Sequence, residues 1–559
     1  MKQAVLRQVR ILAAIATGCI GSASTIVPPV HAATFHVRVD GGDATQCSGL
    51  ADAPYPGAGN GRACAWNHPF VALPPSAPAR IRGGDTLIVR PGGYEIGPGA
   101  PDSGNCAATG DCALSTLPGG PSPQQPTRLL GGSSEDVCSA PPQLWASAGN
   151  RAVIRLDGIE HVEIGCLEIT DHSACIVGYP ARGDGAREDL RCAETPGTGA
   201  GWGRDGIVAR DAGNVLLRDL DIHGMAGNGI RAGRLRDWTL RRVRLHANGW
   251  AGWDGNVGSK AEPDSGNQGH IRFLDSEIAW NGCAERHPER TITGCWAQQQ
   301  GGYGDGLGTA RTGGDWLFEN VRVHHNTSDG LDLLYLDGSG SVTLRRVLAF
   351  ANAGNQVKTS GPMRIENSIL AGSCGYFADL QRAEPERSIM TGSDHCRAMG
   401  NTLSVSFTGD SRAVIRNNAI SGEGDCLLVT TGGSSRARAQ VVNNLFVGGV
   451  QWQPDAAVAD HRIEGEPTCG HYTVDGDAQL EFERNLFWQV KPGSCPAGSL
   501  CDTPPGLQPS DDEVLRWSPA PGSPLIDAGK PLDDLETDYS GRARDGTPDI
   551  GAIEARPRD

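Results

Sequence analysis

Four residues in the middle of the chain place carboxylates and an amine at intervals that a repeating fold would turn into contact. Asp329 and Asp332 lie in TSDGLDLLY, where two acids flank a Gly-Leu pair and lead into an apolar, strand-like segment. Asp305, in GGYGDGLG, precedes Asp329 by 24 residues, and Lys358, in AGNQVKTSG, follows Asp332 by 26. Carboxylates stacked on neighbouring turns of a repeat repel one another unless a cation lies between them. Ca2+, which takes about 6 to 8 oxygen ligands at roughly 2.3–2.6 Å, suits such a gap. A bend at Gly330 would let Asp329 and Asp332 address one ion, because residues three apart in a straight strand face opposite ways. Each residue also has an ordinary reading: Asp-Gly is a turn signal, and a single lysine is commonly just solvated.

Whether these side chains meet depends on the elements around them. Apolar runs recur as VLLRDLDIHGMAGNGI from Val215, WTLRRVRLHANG from Trp238, IRFLDSEIAWNG from Ile271, WLFENVRVHHNTSDGL from Trp316, VTLRRVLAFANAGNQV from Val342 and MRIENSILAG from Met363. Each alternates apolar and polar residues and then reaches Asn or Gly, and neighbouring starts differ by 23, 26 and 21 residues where no insertion intervenes. Strand alternation at such a period is the signature of a solenoid. Later echoes at AVIRNNAIS, QVVNNLFVGG and LEFERNLFWQV extend it, and helical periodicity is almost absent.

The pattern resembles the right-handed parallel β-helix of pectate-lyase-like proteins, an all-β architecture in which successive rungs pair in parallel and Asn stacks in ladders at the turns. The chain divides into a leader (1–32), a Cys-, Pro- and Gly-rich N-terminal region with the first rungs (33–150), the β-helix that carries the resemblance (151–490) and a C-terminal cap (491–559). The cap is marked by SPLIDAG and DYSGRARDGTPDIGAIE, which resemble a closing motif of exported β-helix proteins. Rungs stack about 4.7–4.9 Å apart, so Asp305, Asp329, Asp332 and Lys358 fall on three successive rungs.

SDGLDLL followed by FANAGNQVK is similar to the motif pair of family 9 polysaccharide lyases, D-D-G-x-D and G-N-G-x-K. That resemblance implies that Asp305, Asp329 and Asp332 bind Ca2+ and that Lys358 is the base of a β-elimination. Ser328 stands where the family has another aspartate and Gln356 where it has a glycine. The base removes the proton α to a uronate carboxylate, the C4 oxygen leaves, and a cation on the carboxylate stabilises the developing charge. A nearby dication also disfavours the ammonium form of the lysine. Arg311, Arg345 and Arg346 are candidate clamps for an acidic polysaccharide substrate. Asp254, Asn256 and Lys260 lie in an insertion that would wall the groove, and His324 and His325 alternate faces, one structural and one exposed.

The two ends and the composition bound the rest. Lys2, Arg7 and Arg10 precede a short apolar run, Ile11 to Ile20, and a Val30-His31-Ala32 site, the pattern of a secretory leader cleaved after Ala32. Cys19 gives a weak lipobox reading of the same segment. Of 17 cysteines one falls in this leader, leaving an even number, which with export implies disulfides. Cys47 with Cys64, Cys106 with Cys112, Cys283 with Cys295 and Cys495 with Cys501 are spaced to staple loops. The net charge of −16 argues against nucleic acid and anionic membranes as partners. No run later than the leader is long and apolar enough for a transmembrane segment, and a monomer is expected.

The reading is thus of an exported or periplasmic lyase acting on a uronate polymer with Ca2+. A secreted, non-catalytic carbohydrate-binding or surface-matrix β-helix with structural Ca2+ is the alternative. A β-helix glycoside hydrolase is disfavoured because its G-H-G motif is absent and the Asp-Asp pairs, at Asp511 and Asp533, fall in the tail.

Overall fold

The computed structural model describes residues 32–555 apart from 109, 133–137, 173–200, 260–261, 296–303, 374–375, 378–399, 454–460 and 545. The leader up to residue 31 and Lys260 lie outside the described residues. Among the described residues helix is nearly absent, and Pro69–Ala72 is four residues long. Two parallel sheets carry the fold, one of 23 strands and one of ten.

In the ten-stranded sheet spatial order is chain order. Ala152–Arg155, Asp205–Arg210, Asn228–Gly233, Ala251–Asp254, Leu307–Gly308, Leu331–Leu333, Val357–Ser360, Leu403–Phe407, Cys426–Gly432 and Cys469–Thr473 follow one another, each paired with the next. Parallel neighbours need a crossover between them, and here the crossover is the rest of the rung, which forms the large sheet. Chain order repeated in space is therefore a parallel β-helix.

Alternation decides which side chains enter. Leu331, Leu333 and Val357 are fully buried while Asp332 and Lys358, between and beside them, face outward. On the large sheet Trp238, Phe273, Trp316 and Phe318 fill the interior, with the Phe273 and Phe318 rings stacked 4.9 Å apart. The long strands Gly213–His223 and Arg236–His246 bend at a left-handed residue, Asp219 (φ 54°) and Arg242 (φ 53°). Later rungs place Asn at that bend, at Asn367, Asn417 and Asn443, where its side chain tolerates positive φ better than most.

An asparagine ladder runs along one corner, as expected. Asn248, Asn281, Asn326 and Asn352 donate in turn from Nδ2 to the next side-chain oxygen at 3.1, 2.9 and 2.8 Å. Gln356 ends the series: its Oε1 accepts from Asn352 Nδ2 at 2.8 Å and its Nε2 donates to the Asn352 carbonyl at 3.0 Å. The glutamine that departs from the lyase motif thus terminates this ladder. A second ladder joins Asn418, Asn444 and Asn485.

Strands of the large sheet begin at Thr34–Gly42, which pairs with Thr86–Val89, and residues Ala33–Asp559 form one compact unit. The C-terminal segment lies along a wall: Trp517, Leu525, Ile550 and Ile553 bury an outward apolar column of Leu348, Ile369, Ala419, Leu445 and Leu486. Six disulfides are present among the described residues. They include the four anticipated pairs together with Cys138–Cys166 and Cys426–Cys469.

Candidate functional site

The register of the ten-stranded sheet sets Asp332 opposite Lys358 and Gly308 opposite Asp332. Lys358 Nζ donates to Asp329 Oδ2 at 2.6 Å and lies 3.5 Å from Asp332 Oδ2. Asp329 is fully buried, and the Asp332 and Lys358 side chains are 16% and 14% exposed. The turn at Gly330 does what spacing required of it: two aspartates three residues apart reach one ammonium.

Asp329 and Asp305 also have a structural part. Asp329 Oδ1 accepts both the backbone N–H and the Nδ2 of Asn355 at 2.7 Å, and Asp305 Oδ1 accepts the Asp329 N–H at 3.1 Å. The same arrangement recurs four rungs earlier, where Asp205 takes the N–H and Nδ2 of Asn228. These acids cap the entry to the next strand, so only one oxygen of Asp329 is committed to the lysine. Ser328, in place of a family aspartate, is buried and its hydroxyl bonds the Asp305 carboxyl.

Burial pushes the Asp305 carboxyl well up from the usual range, and the neighbouring Asp329 and Asp332 push it further. Asp332 is raised by burial and then by Asp329, against the pull of Lys358. Lys358 pairs with Asp329 and Asp332, while Asp305 accepts the Asp329 N–H, and burial beside two other acids favours its protonated form. In donor type the set is all oxygen, the kind a hard dication takes. Here the Lys358 ammonium stands between Asp329 and Asp332. Among the described residues the trio with ligand atoms all within 4.8 Å of one another is Asp221, His223 and His246, so the three aspartates do not converge on one point as they stand, and a cation shared by all three would need them to close in on it.

The arginines separate. Arg311 is exposed, three residues past the Leu307–Gly308 strand on the rung that carries Asp305. The structure does not bring Arg345 and Arg346 to the cluster. They lie at a bend of the large sheet, Arg345 bonded to Glu366 at 3.0 Å and Arg346 to Asn320 at 2.7 Å and Glu319 at 2.5 Å. The reason is the bend: Arg346 sits in its left-handed residue (φ 52°), and both guanidiniums turn to wall carboxylates. Neither histidine is exposed: His324 is buried against Glu277, and His325 stacks on Trp280 at 4.4 Å.

One outward column was missed. Arg231, Asp254, Gly308, Asp332, Lys358 and Ser404 are successive register partners, continuing through Val429 to the exposed Tyr472. Asp254 ends a strand of this sheet and lies 3.8 Å from Arg231. Four rung steps separate Arg231 from Lys358, about 19 Å at the usual strand spacing. The 23-residue interval from Arg231 to Asp254 was the available signal.

No sequence-family model matches the chain, and no curated protein matches it in sequence. Among solved structures it is similar to a pectate lyase, Pel9A (12% identity, TM-score 0.38, covering 94% of this chain and 96% of that one). It is also similar to the A-module of a mannuronan C-5 epimerase from Azotobacter vinelandii (12%, 0.36, 74% and 91%) and to an alginate lyase from a Paenibacillus species (11%, 0.31, 71% and 92%). These likenesses are distant, and the β-helix stands on the strand pairing itself.

Proposed function

We propose that the chain is an exported polysaccharide lyase that cleaves a uronate-containing polymer by β-elimination, with Lys358 as the base. The observation that carries this reading is an amine held on the outward face of a rigid parallel sheet, between two buried or nearly buried carboxylates. Lysine becomes a base only as the free amine, and a site that draws its carboxylates to another cation releases it from them. Asp305, Asp329 and Asp332 would hold Ca2+. Bound there, Ca2+ supplies positive charge to the substrate carboxylate and disfavours the ammonium.

The protein's own groups then divide the work. Lys358 Nζ takes the proton α to the uronate carboxylate. The C–H electrons form the C4–C5 double bond, and the C4–O bond breaks with its electron pair going to the oxygen of the leaving sugar, which takes a proton from water. The exposed Arg311 is suited to bind a uronate carboxylate near the scissile bond and Arg231, four rungs away, one several sugars along the chain, since a planar guanidinium matches a carboxylate fork. The column from Arg231 to Tyr472 would bind an extended chain rather than a monosaccharide. Six described disulfides support an oxidising, extracellular or periplasmic location. No described helix is long and apolar enough to cross a membrane.

A second reading has its own observation: Asp305 and Asp329 cap backbone N–H groups in the same manner as Asp205, as they would in a non-catalytic binding module. Product analysis separates the two. Elimination leaves an unsaturated uronate at the new chain end, hydrolysis leaves none, and a binding module leaves the polymer intact.

A further inference from the structure

The large sheet carries a second group of chemistry-bearing side chains that the proposed elimination does not use. Asp221 and His223 come from Gly213–His223 and His246 from Arg236–His246, with His223 opposite His246 in register. One ligand atom from each of the three lies within 4.8 Å of the others, and the two imidazoles stack 4.8 Å apart. His246 Nε2 is 2.8 Å from Asp221 Oδ1, while Asp221 Oδ2 is held by Arg244 Nη1 at 3.1 Å. The arginine thereby orients the carboxylate with Oδ1 toward the imidazoles.

His223 is bracketed by two further acids: Nε2 lies 3.2 Å from Glu168 Oε1 and Nδ1 lies 2.6 Å from Glu285 Oε1. Glu285 is buried, its side chain 3% exposed, and is held by Arg290 Nη1 at 3.0 Å. It arrives on an inserted hairpin, Cys283–Arg286 with Thr291–Cys295, closed by the Cys283–Cys295 disulfide.

We propose that Asp221, His223 and His246 bind a divalent transition-metal ion, with Zn2+ the expected occupant and Glu168 available as a further ligand. Two imidazoles and a carboxylate are a borderline donor set suited to Zn2+ and poorly matched to Ca2+. Glu285 gives the stronger argument. A metal-bound imidazole commonly donates its other ring N–H to a carboxylate, which fixes the tautomer and raises its basicity. His223 has that partner on Nδ1, leaving Nε2 on the side shared with Glu168. Three carboxylates (Glu168, Asp221 and Glu285) face two guanidiniums (Arg244 and Arg290), so the side chains around the imidazoles carry a surplus of acids. The Asp221 and Glu168 side chains are 33% and 26% exposed, which opens one side of the site to the ion and to water. Occupancy would tie the hairpin to the solenoid wall through Glu285.

The test uses the full mature chain, stripped with chelator, titrated with Co2+ by visible absorption and with Zn2+ by calorimetry. One equivalent should bind at micromolar affinity or tighter, with Co2+ bands of histidine and carboxylate ligation that Zn2+ displaces. His246→Gln and Asp221→Asn should each abolish those bands, and Glu285→Gln should weaken binding about 10- to 100-fold. Asp305→Asn, at the other cluster, should leave them unchanged. Asp221→Asn keeps an oxygen for Arg244 and serves if His246→Gln fails to fold. Absence of saturable Co2+ or Zn2+ binding to folded protein at about 100 µM, or binding unaltered in the folded Asp221 or His246 variant, would overturn the proposal and leave the cluster an ion-pair network.

Discussion

Lys358 is the residue on which the functional reading turns, and its surroundings sharpen what its removal should do. Its ammonium now competes for the carboxylates that a cation would use. Lys358→Met should therefore lower elimination by about 10^2- to 10^4-fold, the usual worth of a positioned proton acceptor, while Ca2+ affinity rises. Turnover and calorimetry on one variant read both, and a fall in affinity would show the lysine to be a supporting member of the ion site. Spacing alone made the partnership legible, since 26 residues put Asp332 and Lys358 on adjacent strands. The prior engagement of Lys358 and the roles of Ser328 and Gln356 were not legible, because they depend on hydrogen bonds across the corner. His68 offers a prediction of a different kind. Its Nδ1 accepts the Phe70 N–H at 3.1 Å and its Nε2–H donates to the Glu95 carbonyl at 2.9 Å, so only the neutral ring serves both. Burial lowers its pKa to about 4. The folded value lies below the unfolded one, so this contribution is intact above pH 6.5 and is lost as pH falls toward 4. It amounts to about 3 kcal/mol. His68→Asn keeps a capping oxygen and should flatten that part of the pH dependence of thermal unfolding; an unchanged profile would refute the assignment.

At the scale of the rung, the asparagine ladders hold the corner that leads into the candidate site. Asn326 Oδ1 accepts the N–H and Nδ2 of Asn281, and its Nδ2 donates to Asn352 and to the Ile278 carbonyl. Asn326→Ala should destabilise by about 2–4 kcal/mol, since several buried groups lose partners at once. The exposed Asn105→Ala should stay within about 0.5 kcal/mol. Denaturant midpoints compare them, and equal shifts would mean that the ladder contributes little. The Asn doublets in RNNAIS and VVNNLF now have two separate jobs. Asn443 takes the left-handed bend and bonds the Lys530 carbonyl, while Asn444 joins the ladder. Sequence period exposed the rungs, but it could not say where each bend falls. That is why Arg345 and Arg346 were expected at the substrate and are found on a wall.

Over the whole molecule, alternation foretold an apolar interior and missed the apolar outer column of Leu348, Ile369, Ala419, Leu445 and Leu486, which the C-terminal segment covers. Segments such as ILAG and LFVG are apolar on both faces, a pattern that period alone reads as a single buried side. Cysteine spacing was more informative for close pairs than for Cys426–Cys469, 43 residues apart. The twelve cysteines in the described disulfides should resist alkylation until reduced, as intact mass would show; labelling of several without reduction would refute the oxidised fold. The central claim, that Lys358 sits in a Ca2+-assisted elimination site, is tested most directly by incubating the mature protein with pectate, alginate and other polyuronates, with and without chelator, while recording unsaturated-uronate absorbance. A rise is expected on at least one polymer, and chelator and Lys358→Met should each abolish it. No rise on any polyuronate from folded, Ca2+-bound protein, or a rise that survives in Lys358→Met, would contradict it.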